Sequence, residues 1–187
     1  MFRKVKVPTL EGDKVILRMW NRKDAADLYE YACDPRVGPS AGWYPHRSVQ
    51  ESRTIIDTVY LSRIDWAIID KESGKAVGNI GFDDDVIRQN VNSRELGYSL
   101  SADYWGRGLT TEAVILVTEY AFTTLGVDTV TMRISPDNTA SRRVAEKAGF
   151  VYEGILRNSY RQYNNSIVDM ACYSMLESDY FGYDRNL

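Results

Sequence analysis

The chain has 187 residues, of which 44% are hydrophobic and 26% charged. This excludes a disordered chain, a collagen and a coiled-coil rod, and the length fits a single domain spanning 1–187. With 23 basic residues against 26 acidic ones the formal charge is −3, so the chain has no basic excess for a nucleic-acid-binding face.

The N-terminus, Met1-Phe-Arg-Lys-Val-Lys-Val-Pro8, is charged and lacks the apolar stretch of a secretion signal. Residues 14–20 (KVILRMW) are predicted to form a strand. Asn21 or Asp24 caps a helix with Ala25, Leu28, Tyr29 and Ala32 at helical spacing, which Asp34-Pro35 ends. Residues 36–47 read as a loop, and Ser48 with Glu51 forms a capping box for a helix to about Tyr60 or Ser62. Residues 65–70 and 76–82 read as a hairpin, Asp83–Asp85 as a polar connection, and 95–100 as a further strand. The apolar run 113–125, ending at Gly126, favours a buried helix. A strand at 129–134, a short helix opened by Pro136-Asp-Asn138 and closed at Gly149, and an antiparallel pair at 150–156 and 167–176 complete the chain. The order is α/β with a mixed, mostly antiparallel sheet flanked by helices, and a parallel neighbour can arise across the 106–125 helix.

No stretch approaches the length of about 18 uncharged apolar residues that spans a membrane. The expectation is a cytoplasmic protein with no membrane and no nucleic-acid partner. Cys33 and Cys172 lie far apart, His46 is the single histidine, and no CxxC, CxxH or HxxxH spacing occurs. A zinc site of the His/Cys type therefore lacks ligands, no metal is expected, and two free thiols in a reducing compartment are.

The segment 100–111 (LSADYWGRGLTT) runs a strand into a glycine-containing turn that opens a helix. Such a turn gathers unsatisfied N–H groups at the positive end of a helix dipole, which is an anion site. Gly106 and Gly108 permit close approach of a phosphate, and Arg107 adds charge. A P-loop would need lysine after the second glycine, where Leu109 stands. A Rossmann fingerprint would need a third glycine, where Thr111 stands, and Asp128 precedes the next strand rather than ending it.

Residues 104–113 (YWGRGLTTEA) resemble the acyl-CoA pyrophosphate loop of the GNAT acetyltransferase superfamily, Gln/Arg-x-x-Gly-x-Gly/Ala, which falls here on Trp105, Gly106, Arg107, Gly108, Leu109 and Thr110. Thr110 departs from the usual small residue. Thirty residues on, Asn138-Thr-Ala-Ser141 and Glu146-Lys-Ala-Gly-Phe150 resemble the Asn-x-x-Ser…Glu-Lys-x-Gly-Phe motif of the RimJ/RimL-like branch, the ribosomal-protein N-terminal acetyltransferases.

The resemblance implies a GNAT fold whose sheet is splayed at its middle. It implies acetyl-CoA as cosubstrate, with pantetheine on the backbone of Tyr98, Ser99 and Leu100, pyrophosphate on the amides of Gly106 to Thr110, and Asn138 both capping its helix and bonding the pantetheine arm. The chemistry implied is direct attack of a neutral amine on the thioester. An α-amine of pKa about 7.7–8.0 is neutral for roughly 10% of molecules at pH 7, and a lysine of about 10.4 for roughly 0.04%, so a protein N-terminus needs little help. Glu95, at the start of the splayed strand, is the candidate base, with Asp83–Asp85 as other carboxylates. The tyrosine that many members use as acid is replaced here by Val144. The branch points instead to Ser141 as acid. Acceptor-side candidates are Trp43, Tyr44 and Tyr160, with His46 and Tyr163 nearby; His46 reads as loop structure. The branch also implies a homodimer. The readings that compete are a small-molecule amine acetyltransferase (polyamine, amino sugar or antibiotic), a non-catalytic acyl-CoA-binding module, and a Rossmann-type nucleotide binder.

Overall fold

A computed structural model describes residues 5–182, and its eight strands form one mixed sheet with helices on both faces. The strands are β1 (Leu10–Glu11), β2 (Val15–Arg18), β3 (Ile64–Asp70), β4 (Ala76–Asp84), β5 (Ser93–Leu100), β6 (Thr129–Ile134), β7 (Val151–Arg161) and β8 (Ile167–Leu176). The helices are α1 (Ala25–Ala32), α2 (Gly38–Ala41), α3 (Val49–Thr58), α4 (Leu109–Tyr120), α5 (Thr139–Lys147) and α6 (Glu177–Gly182). Across the sheet the order is β1-β2-β3-β4-β5-β6-β8-β7. Neighbours are antiparallel except β5 and β6, which α4 connects as a parallel pair.

Strand β3 shows how the two faces are covered. Trp66 and Ile68 pack with Leu109, Ala113, Val114 and Val117 of α4. Ala67 and Ile69 point the other way, to Trp20, to Leu28 and Tyr31 of α1, and to Ile56 of α3. Burying each such large apolar side chain stabilises the fold by about 1.5–3 kcal/mol before entropy is counted. Helix starts follow side-chain chemistry. Asn21 accepts from the Lys23 N–H and opens a 3-10 turn into α1. Ser48 accepts from the Glu51 N–H at 3.1 Å, while Glu51 reaches back to the Arg47 N–H, one residue before the expected box.

Several elements differ from the sequence expectation. The 36–47 loop contains α2, because Pro39 suits a first helical turn and Gly42, at φ +92°, ends it. Asp83 and Asp84 belong to β4, and only Asp85 begins the connection. Of the expected 106–125 helix, α4 starts at Leu109 after the glycine turn, and residues 121–125 continue as a π turn up to Gly126. Strand β7 begins after Phe150 and runs to Arg161, with register shifts against β8 at 152/154 and 156/160. Strand β1 and helix α6 were not expected. Both thiols are free.

Candidate active site

The sheet opens at the β5–β6 pair. Only Ser93, Arg94 and Glu95 register with β6, on Thr129, Val130 and Thr131. Beyond Glu95, β5 keeps its partner β4 to Leu100, and β6 keeps its partner β8 to Ile134. The two strands therefore part. The Ser101 N–H donates to the Val77 carbonyl, so alternation turns the main-chain groups of Ser99 and Gly97 to β4. Those of Leu96, Tyr98 and Leu100 face the gap. Of the three residues expected to offer backbone to pantetheine, Tyr98 and Leu100 turn their main-chain groups to the gap, while Ser99 lies in the ladder with Asn79. The Leu100 carbonyl already accepts from Trp105 Nε1 at 3.0 Å, which ties the exposed indole to the strand end.

The turn after β5 is shaped as an anion cradle. Gly106 and Gly108 have φ of +76° and +81°, and no side chain caps the first turn of α4. The amides from Gly106 to Thr110 are therefore left for an outside acceptor, with the helix dipole behind them. Leu109 and Thr110 are buried and anchor the turn. Arg107 is drawn sideways to Asp70, at 3.4 Å, and to Glu72, and stacks on Tyr104. The cation set against Gly108 is instead Lys14, whose Nζ donates to the Arg107 carbonyl at 3.2 Å. Sequence motifs did not single out Lys14, which only the β1–β2 turn brings to the loop. Glu112 of α4 accepts from the Asp13 and Lys14 N–H groups and holds that turn in place. An acyl-CoA pyrophosphate fits this set of free amides and one ammonium.

On the same side of the gap, the Tyr98 and Ser141 hydroxyls lie 2.6 Å apart. Asn138 fixes the start of α5, its side-chain oxygen accepting from the Ser141 N–H at 3.0 Å. Burial pushes the Tyr98 phenol up to about 12, against the opposing hydrogen bond with Ser141. A strand tyrosine thus brings a phenol hydroxyl to the start of α5, whose own Val144 carries none. The resemblance gives Tyr98 a backbone role alone, and strand alternation adds its hydroxyl to the gap.

Glu95 sits at the closed end of the gap. Its carboxylate accepts from Arg133 Nε on β6 at 2.8 Å. Burial raises its pKa and Arg133 opposes the rise. Of the other carboxylates considered, Asp83 pairs with Arg63, and Asp85 is held with Arg88.

The acceptor-side aromatics come together although they are far apart in sequence. The Tyr160 hydroxyl lies against Gly42, and Tyr44 meets Tyr163 edge-on at 4.3 Å. Trp43 packs on His46, whose Nδ1 pairs with the Ser52 hydroxyl at 2.8 Å. The α2 loop and the β7–β8 hairpin therefore share one aromatic wall. No cluster of His, Cys, Asp and Glu able to hold a metal occurs among the described residues, and none of their helices is long and apolar enough to cross a membrane.

Comparison with known proteins agrees with this geometry. Residues 14–151 match the Acetyltransferase (GNAT) domain family. The chain is 30% identical to the uncharacterized N-acetyltransferase p20 of Bacillus licheniformis over 179 residues, 93% of this chain and 99% of that one. The fold superposes on the ribosomal-protein-S5-alanine acetyltransferase of Vibrio fischeri with a TM-score of 0.73 at 22% identity, covering 92% and 98% of the two chains. It superposes on Mycobacterium smegmatis RimJ in complex with CoA-disulfide with a TM-score of 0.75 at 20% identity, covering 90% and 87%. A splayed sheet, an uncapped glycine turn at its mouth and a family match over most of the length have one common reading: the chain belongs to the GNAT family and is an acetyltransferase.

Proposed function

We propose that this enzyme transfers an acetyl group from acetyl-CoA to a primary amine, and that the amine is the α-amine of a protein N-terminus. The observation that carries the reading is the unpaired edge of β5 beside the uncapped turn of α4, which together suit a pantetheine arm and a pyrophosphate. When bound, acetyl-CoA supplies an activated acyl carbon. The chain's own residues then have three tasks. The main-chain groups of Tyr98 and Leu100 align the arm, and Lys14 with the amides of 106–110 holds the phosphates. The Ser141 hydroxyl, paired with Tyr98, donates a hydrogen bond to the departing sulfur, where full protonation of a thiol of pKa about 8.5 adds only modestly. The third task is relieving the amine of its proton, and it falls to a carboxylate, for which Glu95 is the candidate the resemblance offers.

An N-terminal acceptor is supported by chemistry and by likeness. An α-amine is neutral often enough at pH 7 to react without a strong base. Proteins of the same fold include a ribosomal-protein-S5-alanine acetyltransferase. The aromatic wall of Trp43, Tyr44 and Tyr160 gives a peptide chain flat surfaces to lie on. The test is a thiol-release assay with acetyl-CoA against peptides starting with Ala, Ser or Met, set beside spermidine, amino sugars and free amino acids. Turnover on peptides alone supports the reading. Turnover only on a small amine overturns the acceptor, and CoA binding without any turnover overturns catalysis.

A further inference from the structure

The face of the sheet under α1 and α3 carries a buried carboxylate that neither the coenzyme gap nor the hydroxyl pair uses. Asp65 of β3 is only 7% exposed. Its register neighbours are Gly81 on β4 and, beyond it, Gly97 on β5. The row ends where β5 leaves β6. The Asp65 carboxylate lies over Gly81, in the space a β-carbon there would need. Above the exposed Gly97 there is nothing within 4 Å. With the carboxylate set over Gly81 and nothing over Gly97, the sheet is a bare lane from the carboxylate to the splay.

The polar groups around the lane are fixed but incomplete. Asn79 Nδ2 donates to Asp65 Oδ1 at 2.9 Å, and Trp20 Nε1 donates to the Asn79 carbonyl at 2.7 Å, which locks the amide orientation. Oδ2 takes no hydrogen bond from any described residue. The Tyr31 hydroxyl, from α1, is buried and feels the Asp65 charge, with the Tyr60 and Ser99 hydroxyls beside it. The other titratable groups nearby are Tyr60, from the turn after α3, and Arg63, which Asp83 of β4 engages. A buried carboxylate with a free oxygen gains most from a cation that can reach it. Glu95, by contrast, already has Arg133.

We propose that Asp65 is the acceptor-amine site, holding the incoming ammonium along the Gly81–Gly97 lane and taking its proton. The inference rests on the amine-acetylating reading above. The ammonium gives one proton to the Asp65 carboxylate and becomes a neutral amine. Its nitrogen bonds the acetyl carbon as the carbon–sulfur bond breaks. The thiolate that leaves takes up the second proton lost by that nitrogen, and Asp65 returns the first to water. The products are an amide, CoA and one released proton.

The experiment measures steady-state kinetics on an Ala-starting peptide from pH 5 to 9, with acetyl-CoA affinity measured by calorimetry. Wild type is expected to lose kcat/KM below about pH 6, where burial places the Asp65 carboxyl. Asp65→Asn is expected to lower kcat/KM by about 100-fold or more, to lose that acid limb, and to change acetyl-CoA affinity by less than about twofold. Gly97→Val, built into open space, is expected to raise the peptide KM about 10-fold with acetyl-CoA affinity kept, and it decides the matter if Asp65→Asn does not fold. An Asp65→Asn enzyme within about threefold of wild type with the same acid limb, or a Gly97→Val enzyme with an unchanged peptide KM, overturns the proposal while leaving the parent reading intact. A wild type that binds acetyl-CoA and acetylates no amine of the panel overturns both.

Discussion

Replacing Asp65 by Asn should make the protein more stable, and only above a defined pH. The carboxyl moves from an ordinary 3.8 in the unfolded chain to about 6 in the fold, chiefly through burial. Between those values the native state binds the proton and the unfolded state does not, so stability falls as pH rises through the window. At about 1.4 kcal/mol per pH unit, ionised Asp65 costs the fold about 3 kcal/mol once pH passes 6. Asparagine is nearly isosteric, keeps an oxygen to accept from Asn79 Nδ2, and has no charge to bury. Urea denaturation of both proteins at pH 4 and pH 8 gives the comparison. The variant should match wild type at pH 4 and exceed it by about 2–3 kcal/mol at pH 8, with m unchanged. That corresponds to about 4–12 °C in Tm for a chain of this size. A stability difference that is flat with pH, or a variant weaker than wild type at pH 8, would refute the assignment of an uncompensated buried charge.

Other expectations follow from contacts described above. Tyr98→Phe and Ser141→Ala should each lower kcat about 10-fold without changing acetyl-CoA affinity, and the double variant should be little worse than either, since one hydroxyl pair is lost in all three. Gly108→Ala forces a side chain to φ +81°, so it should cost about 1–2 kcal/mol in thermal denaturation and raise the KM for acetyl-CoA severalfold. Glu112→Ala removes the acceptor for the Asp13 and Lys14 N–H groups; a loss of about 1–2 kcal/mol and weaker CoA binding through a displaced Lys14 are expected in denaturation and calorimetry.

What was legible in the sequence was local. Glycines at 106 and 108 ahead of an apolar helix announced the anion turn, and Asn138 with Ser141 announced the start of α5. The strand order up to β5 follows chain order and needed only alternation to read. The residues that escaped notice act across the sheet. Lys14 reaches the glycine turn from a hairpin 93 residues away in sequence, and Asp65 comes into one row with Gly97 only through strand pairing by way of Gly81. Within 65–70 (DWAIID), Asp65 reads as an ordinary strand-end acid; its burial comes from α1 and α3, whose packing no local pattern states. Arg107, whose place in the motif suggested added charge for a phosphate, turns its guanidinium to Asp70 and Glu72, two residues that no local pattern brings to the loop.

The short β5–β6 pairing also bears on how the chain folds. Strands β1 to β5 each pair with their neighbour in sequence, and β6, β8 and β7 pair among themselves, so the sheet falls into two units. The parallel step is the seam between two such units, closed by three residue pairs and by α4 packed behind it. Amide hydrogen exchange should find the Leu96, Tyr98 and Leu100 protons fast, although they sit in the middle of an eight-stranded sheet. A molecule that laces those protons to β6 would join the two units into one cooperative block, so exchange at the seam would report occupancy from within the sheet itself.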